Sequence, residues 1–322
     1  MAAGINWQPI ILGTIMRSKN KKTSIEPRAS YWLLYILPAL IIYFIFMAYP
    51  LIDSLRLSFY AGTSSSNRVF VGFDNFKKLL FDESLSTRYK GAFSHTIIFF
   101  LINMVFQNFV GILFAVILTN RTMQKKTLYQ TIIFIPTTFA VLVTGYLWKL
   151  LLNPVWSSDA LTKIGLSFLS RPWLGDKSSA LIVISLISCW QWMGIPVMMF
   201  VAALKNINQD LLEVAAMEGA TEWQTFIKIK VPLIKPVIGM ITILTFVNNF
   251  NAFDIVFATE TVNGAPGYST DLLGTFFYRI GIAGQHPIGI PDPGVGACVA
   301  TITFIVLLLG VVPTLKATQG DN

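Results

Sequence analysis

The residues of this chain best suited to chemistry carry mostly uncharged polar groups. Asn248, Asn249 and Asn251 lie close together, with Asp254 just beyond and Phe250 and Phe253 among them. A carboxamide both donates and accepts hydrogen bonds, and an aromatic face takes the C–H surface of a ring, so the set suits a solute rich in hydroxyls. Trp190-Gln191-Trp192 repeats the pairing of aromatic and amide, just before Gly194 and Pro196, where a helix can break. Asn103, Gln107 and Asn108 form a third amide group. All of these amides equally suit hydrogen bonding between helices. Catalytic constellations are missing: there is no His-Glu-x-x-His, no pair of intramembrane acids and no Gly-x4-Gly-Lys-Ser/Thr phosphate loop. His95 and His286 read as ordinary surface residues, and Cys189 and Cys298, both in apolar runs, suggest neither a disulfide framework nor a metal site.

The elements that must position these groups are apolar and long. The chain has 322 residues, 54% hydrophobic and 12% charged. Soluble domains carry about 25% charged residues, so a disordered chain, a coiled coil and an ordinary cytosolic enzyme are excluded. Segments 31–52, 96–120, 128–148, 180–204, 236–253 and 293–315 contain no charged residue. Each is long enough to cross a hydrocarbon core of roughly 30 Å. Backbone groups in lipid must be satisfied within the segment, and period-two alternation is absent, so the spans are helices and not barrel strands. The expected fold is all-α and polytopic, with six transmembrane helices in a domain over 31–316 and tails at 1–30 and 317–322. The apolar stretch 5–16 is too short to span, and its basic cluster follows it, so it reads as interfacial or poorly ordered and not as a signal peptide.

Orientation follows from Lys and Arg. Arg17, Lys19, Lys21, Lys22 and Arg28 precede the first span, Arg121, Lys125 and Lys126 fill a short connection, and Lys205, Lys228, Lys230 and Lys235 fill the fourth. The opposite side has longer loops with sparser basic residues, so both termini are expected in the cytoplasm. The net charge of +8 then reflects the membrane surface and not nucleic-acid binding. Three outer connections, 58–95, 153–179 and 260–292, carry turn residues such as Ser64-Ser65-Ser66-Asn67 and Asn263-Gly264-Ala265-Pro266-Gly267. Loops of this size either make contacts with other proteins or cover the mouth of the bundle.

The fourth connection, 205–235, is more than a hairpin. Asn208 or Asp210 can cap a helix, Leu211, Leu212, Ala215, Ala216 and Gly219 recur at helical spacing, and Gly219 can end it. Thr221 can cap a second short helix with Trp223, Phe226 and Ile227 on its apolar face, and Pro232 closes the loop. The result is an elbow with small residues at its bend, shaped to enter a cleft on another protein.

This loop resembles that of the permease subunits of bacterial binding-protein-dependent ATP-binding-cassette importers, whose pattern is Glu-Ala-Ala, three residues, Gly, nine residues, Ile, one residue, Leu-Pro. Here Glu213, Val214 and Ala215 are followed by Gly219 and then by Ile229, Val231 and Pro232; only Val214 and Val231 depart, conservatively. Leu37-Pro38-Ala39, Tyr49-Pro50, Ile135-Pro136, the run Phe250–Asp254 and the run Asn263–Leu272 resemble the carbohydrate branch of that family, the maltose and glycerol-phosphate type. The resemblance implies a type I importer permease in the bacterial inner membrane. Glu213, Ala215, Ala216, Gly219, Ile229 and Pro232 would couple it to an ATPase, with Ala215 and Ala216 packing in the ATPase groove. It also implies a second homologous permease, two cassette ATPase subunits that hold the ATP and magnesium, and an extracytoplasmic solute-binding protein delivering a sugar or oligosaccharide, acidic ones included. Asn248, Asn249, Phe250, Asn251, Phe253, Asp254, Trp190, Gln191 and Trp192 are the expected substrate pathway. No cofactor is expected in this chain. The alternative, an ion-coupled secondary transporter, needs ionisable residues deep in the spans, where only Asp254 comes near.

Overall fold

The computed structural model describes residues 29–62, 67–120, 122–163, 165, 170–284 and 289–319. The stretch 5–16, the serines at 64–66, Arg121, His286 and the last three residues lie outside the described residues. The chain divides into two units at Ile52. The first holds most of helix α1 (Leu34–Leu57), which contains a π-helical turn at Phe44–Ala48. The second unit, Asp53–Asn322, holds the rest of the fold.

Its first element is a short antiparallel pair, β1 (Tyr60–Ala61) and β2 (Val69–Phe70), with Tyr60 opposite Phe70. Helix α2 (Asp74–Phe81) leads into α3, which runs unbroken over Glu83–Thr119. The sequence places the start of this span at residue 96, and the structure starts the helix at Glu83. Asp82 explains the difference: its carboxylate accepts from the backbone N–H groups of Ser84 and Leu85 at 3.2 and 3.0 Å, a strong N-cap. The segment 58–95 is therefore mostly folded structure and not loop.

Helices α4 (Lys126–Phe134) and α5 (Val141–Leu151) meet at 97°, so the stretch expected to be one straight third span is broken. A 3-10 turn over Ile135–Thr138, with Pro136 at its start, makes the break. After α6 (Pro154–Lys163), α7 (Ala180–Trp192) and α8 (Gly194–Lys205) meet at 45°, at the Gly194 and Pro196 break that the sequence suggests. The elbow helices α9 (Gln209–Met217) and α10 (Glu222–Leu233) follow, and α10 meets α11 (Lys235–Phe250) at 69°. Among the described residues, three helices are long and apolar enough to cross a membrane unbroken, and each of the three bent pairs makes one further crossing when counted as a single span.

Beyond α11, at the end away from the elbow, the chain builds a lobe from α12 (Asp254–Glu260), α13 (Leu273–Tyr278) and a π-helical turn at Arg279–Ala283. Arg279 and Asp271 are almost wholly buried and face each other in a bidentate pair, at 3.1 and 2.5 Å. Arg279 also donates to the Val262 carbonyl at 3.0 Å, and Thr275 donates to Asp271 at 2.7 Å. The lobe is tied to α3 by two bonds: Leu273 N–H donates to the Thr96 hydroxyl at 2.9 Å, and His95 Nδ1 lies 3.2 Å from the Asp271 carbonyl. His95 is thus a half-buried joint and not an ordinary surface residue. The last helix, α14 (Pro293–Gln319), packs on α11 and α13.

Three apolar clusters fill the unit. Leu79, Tyr89, Phe276, Val295 and Cys298 join α2, α3, α13 and α14. Ala115, Val197, Phe200 and Ile241 join α3, α8 and α11, and Ile184, Ile187, Ile255 and Val256 join α7 to α12. Cys189 and Cys298 are buried free thiols.

Candidate functional site: a cleft at broken helices and an exposed elbow

A helix that breaks inside a membrane frees carbonyl groups that must find donors. Both breaks near the middle of this chain are answered by a glutamine. Pro196 has no N–H, so the Trp192 carbonyl four residues earlier cannot make its helical bond. Gln107 of α3 points its Nε2 at that carbonyl from 3.4 Å. At the other break, Gln191 Nε2 donates to the Phe139 carbonyl at 3.0 Å. The two breaks also touch: a Cβ on Gly194 would lie 2.9 Å from the Phe134 Cα, an approach that only glycine allows.

Beside these breaks lies a cleft of about 390 Å³. Asn103 and Gln107 line it from α3, Ser188 and Trp192 from α7, and Thr245, Asn248, Asn249 and Asn251 from the end of α11. Phe253 and Asp254 close it where α12 begins. Asn103 and Gln107 lie in a π-helical turn, Asn103–Phe109, a distortion that recurs at functional sites. Asn103, Asn249 and Asn251 each donate from Nδ2 to the carbonyl four residues back in their own helix, at 2.9, 2.6 and 2.9 Å.

Three pathway residues named from sequence lie elsewhere. Phe250 is buried against Phe246 and Phe100, with ring centres 4.6 and 6.0 Å away. Trp190 stands edge-on to Trp148 at 5.5 Å. Gln191 is fully buried and committed to the break. Within a helix, residues two apart differ by about 200°, so Phe250 turns away from Asn248 and Trp190 from Trp192, whereas Asn251 joins the lining because it lies past the helix end at Phe250. Asn108 is also absent from the lining; it exchanges hydrogen bonds with Thr245 at 3.1 and 3.2 Å and cross-links α3 to α11. Thr245 and Ser188 were not picked out from sequence. A hydroxyl in an apolar run usually returns its hydrogen to its own helix, so neither carries a readable signal.

The elbow is built by local bonds. Asn208 caps α9, its side chain accepting from the Asp210 N–H at 3.0 Å. Gly219 ends α9 at φ +77°, with its own N–H bonded to the Ala216 carbonyl at 3.1 Å and the Ala220 N–H to the Ala215 carbonyl at 2.9 Å. This pair of bonds around a left-handed residue is the Schellman motif. Thr221 and Gln224 then form a reciprocal capping box at 3.2 and 2.9 Å. Ala215, expected to pack in a partner's groove, is 7% exposed and turned inward in this chain. The outward stripe is instead Leu211, Val214 and Met217, continued by Trp223 and Ile227, with Met217 at 80% and Trp223 at 71% exposure. Glu213, Ala216, Gly219 and Pro232 are exposed beside it, and Ile229 is half-buried.

Bent membrane helices around a polar cleft, with an exposed apolar elbow at one end, define a polytopic membrane permease. Residues 107–316 match the model of the family described as binding-protein-dependent transport system inner membrane component, and the chain belongs to that family. Among its relatives, the probable ABC transporter permease YurN of Bacillus subtilis is 27% identical over 85% of this chain and 91% of its own length. The lactose transport system permease LacF of Rhizobium radiobacter is 28% identical over 77% of this chain and 82% of its own. The maltose/maltodextrin permease MalF of Klebsiella aerogenes is 29% identical over 78% of this chain but only 49% of its own. A crystal structure of a bacterial ABC transporter that imports the acidic polysaccharide alginate contains a chain that superposes with a TM-score of 0.74. That chain is 23% identical, with 90% of this chain and 96% of the other covered, a likeness of fold.

Proposed function

We propose that this chain is the membrane-spanning permease of an ATP-driven importer that moves a sugar or oligosaccharide delivered by an extracytoplasmic binding protein. It works beside a second, homologous permease and two cassette ATPases, which hold the ATP and magnesium. It lies in the bacterial inner membrane with both termini in the cytoplasm.

The observation that carries this reading is the elbow. An apolar stripe of this size on a solvent-facing helix pair is the mark of a docking surface. Its rigid caps suit it to transmit force. It also leads through the 69° bend directly into α11, whose far end supplies four amide or hydroxyl groups to the cleft. In this mechanism, closure of the ATPases shifts the elbow, α11 tilts, and the cleft opens to one side or the other, a two-state coupling between sites. The cleft takes the cargo by hydrogen bonds to hydroxyls from Asn103, Gln107, Asn248, Asn249 and Asn251, with Trp192 and Phe253 as apolar faces. The relatives whose names specify lactose, arabinooligosaccharides and maltodextrin support a carbohydrate cargo.

The test is reconstitution of the complex in proteoliposomes. Copurification with a cassette ATPase and ATP hydrolysis stimulated by loaded binding protein are expected, and Glu213→Ala is expected to abolish the stimulation while the complex stays assembled. Transport that persists without the ATPase would establish the ion-coupled alternative instead.

A further inference from the structure

The described residues lining the cleft include no lysine, arginine or histidine, and one carboxylate, Asp254, at its mouth. The amides add to that bias. Asn103, Asn249 and Asn251 have each committed one Nδ2 hydrogen to their own backbone, while the Asn103 oxygen accepts from the Cys189 thiol. What this lining offers beyond neutral amides is one charge, the Asp254 carboxylate, with the Asn248, Asn249 and Asn251 oxygens as acceptors near it. A negative charge beside a cleft whose described lining holds no cation attracts cationic groups and repels anions.

Resting on the importer reading above, we infer that the cargo is a neutral or amine-bearing oligosaccharide and not a uronate, with Asp254 as the specificity-determining residue. The fold neighbour that carries an acidic polysaccharide therefore shares this architecture without sharing this selectivity.

The experiment uses the whole complex with its binding protein in proteoliposomes. The probes are neutral tetrasaccharides of glucose, galactose and arabinose, a glucosamine tetrasaccharide, and tetragalacturonate. A neutral or amine-bearing probe is expected to be taken up at least about tenfold faster than tetragalacturonate. Asp254→Lys should shrink that ratio, Asp254→Glu should keep it, and Asp254→Asn should fall between, which a purely structural role for Asp254 at the start of α12 would not produce. Preferred uptake of tetragalacturonate by the wild type, or an unchanged ratio in Asp254→Lys, overturns the inference. Glu213→Ala separates the two levels. Uronate uptake that it abolishes sinks only the charge argument, whereas uptake that it leaves intact sinks the importer reading itself.

Discussion

The two ends of α11 are held together by opposite means. At its start, the elbow is a chain of contacts between residues at most five apart: Asn208 to Asp210, Gly219 to Ala216, Ala220 to Ala215, Thr221 to Gln224. At its finish, the lobe depends on partners far apart in sequence. Thr96 meets Leu273 across 177 residues, His95 meets the Asp271 carbonyl across 176, and Lys149 donates to the Thr259 carbonyl at 2.6 Å across 110. A locally bonded element keeps its shape when its neighbours move, as a part that transmits motion must. A globally bonded element stays ordered only while the bundle holds it.

The comparison can be broken most forcefully at the buried ion pair. Asp271→Ala leaves Arg279 charged and uncompensated and should cost about 3–5 kcal/mol. The expected outcome is loss of folded protein from the membrane, read by detergent-extracted yield and melting temperature. Replacing both partners by apolar residues should recover much of the loss. At the elbow the largest effect comes from Gly219→Val. The missing Cβ would meet nothing within 4 Å, so the penalty is the backbone alone, about 1–2 kcal/mol for a branched residue at positive φ. Gly219→Asn should be milder. Yield should stay normal while stimulated ATPase activity falls; equal loss of yield in Asp271→Ala and Gly219→Val would erase the contrast between the two ends.

Thr221→Ala removes half the capping box at about 1 kcal/mol, raising local opening of the second elbow helix about fivefold. Hydrogen exchange at the amides of 222–225 should report it, with exchange in the lobe unchanged. The smallest effect is a pH dependence confined to the lobe. Burial pushes the Glu260 carboxyl from an ordinary 4.5 up to about 7, with Lys149 pulling weakly the other way. The folded state therefore holds this proton more tightly than the unfolded chain does. The favourable contribution is complete below about 4.5 and is lost as pH rises through about 7. Melting temperature measured between these values should decline, and Glu260→Gln should flatten the decline.

Legibility in the sequence followed the same divide. Asn208, Gly219 and Thr221 announce themselves because a cap is a property of a few adjacent residues, and the Gly194–Pro196 break is equally local. The six apolar segments could be read because length and absence of charge suffice. Ala215 pointing inward was not readable, because period 3.6 defines a face without saying which way it points. Nor was the 97° turn at Pro136, or the use of Gln107 and Gln191 as donors to the carbonyls freed at the two breaks. Those depend on which helix lies opposite. The Asp271–Arg279 pair was missed for the same reason, since neither charge has its meaning until the lobe has closed over it.

The π-helical turn in α3 has a consequence for how one rod serves two neighbourhoods. A straight helix of 37 residues extends about 55 Å, well past a hydrocarbon core of roughly 30 Å, so its charged beginning stands in water. One extra residue in the winding at Asn103–Phe109 offsets the angular phase of everything after it by about 100°. The early half thereby faces α2 and α13 while the late half faces α8, with no interruption of the backbone. Deleting a single residue there would restore a uniform winding and swing one half off its neighbours.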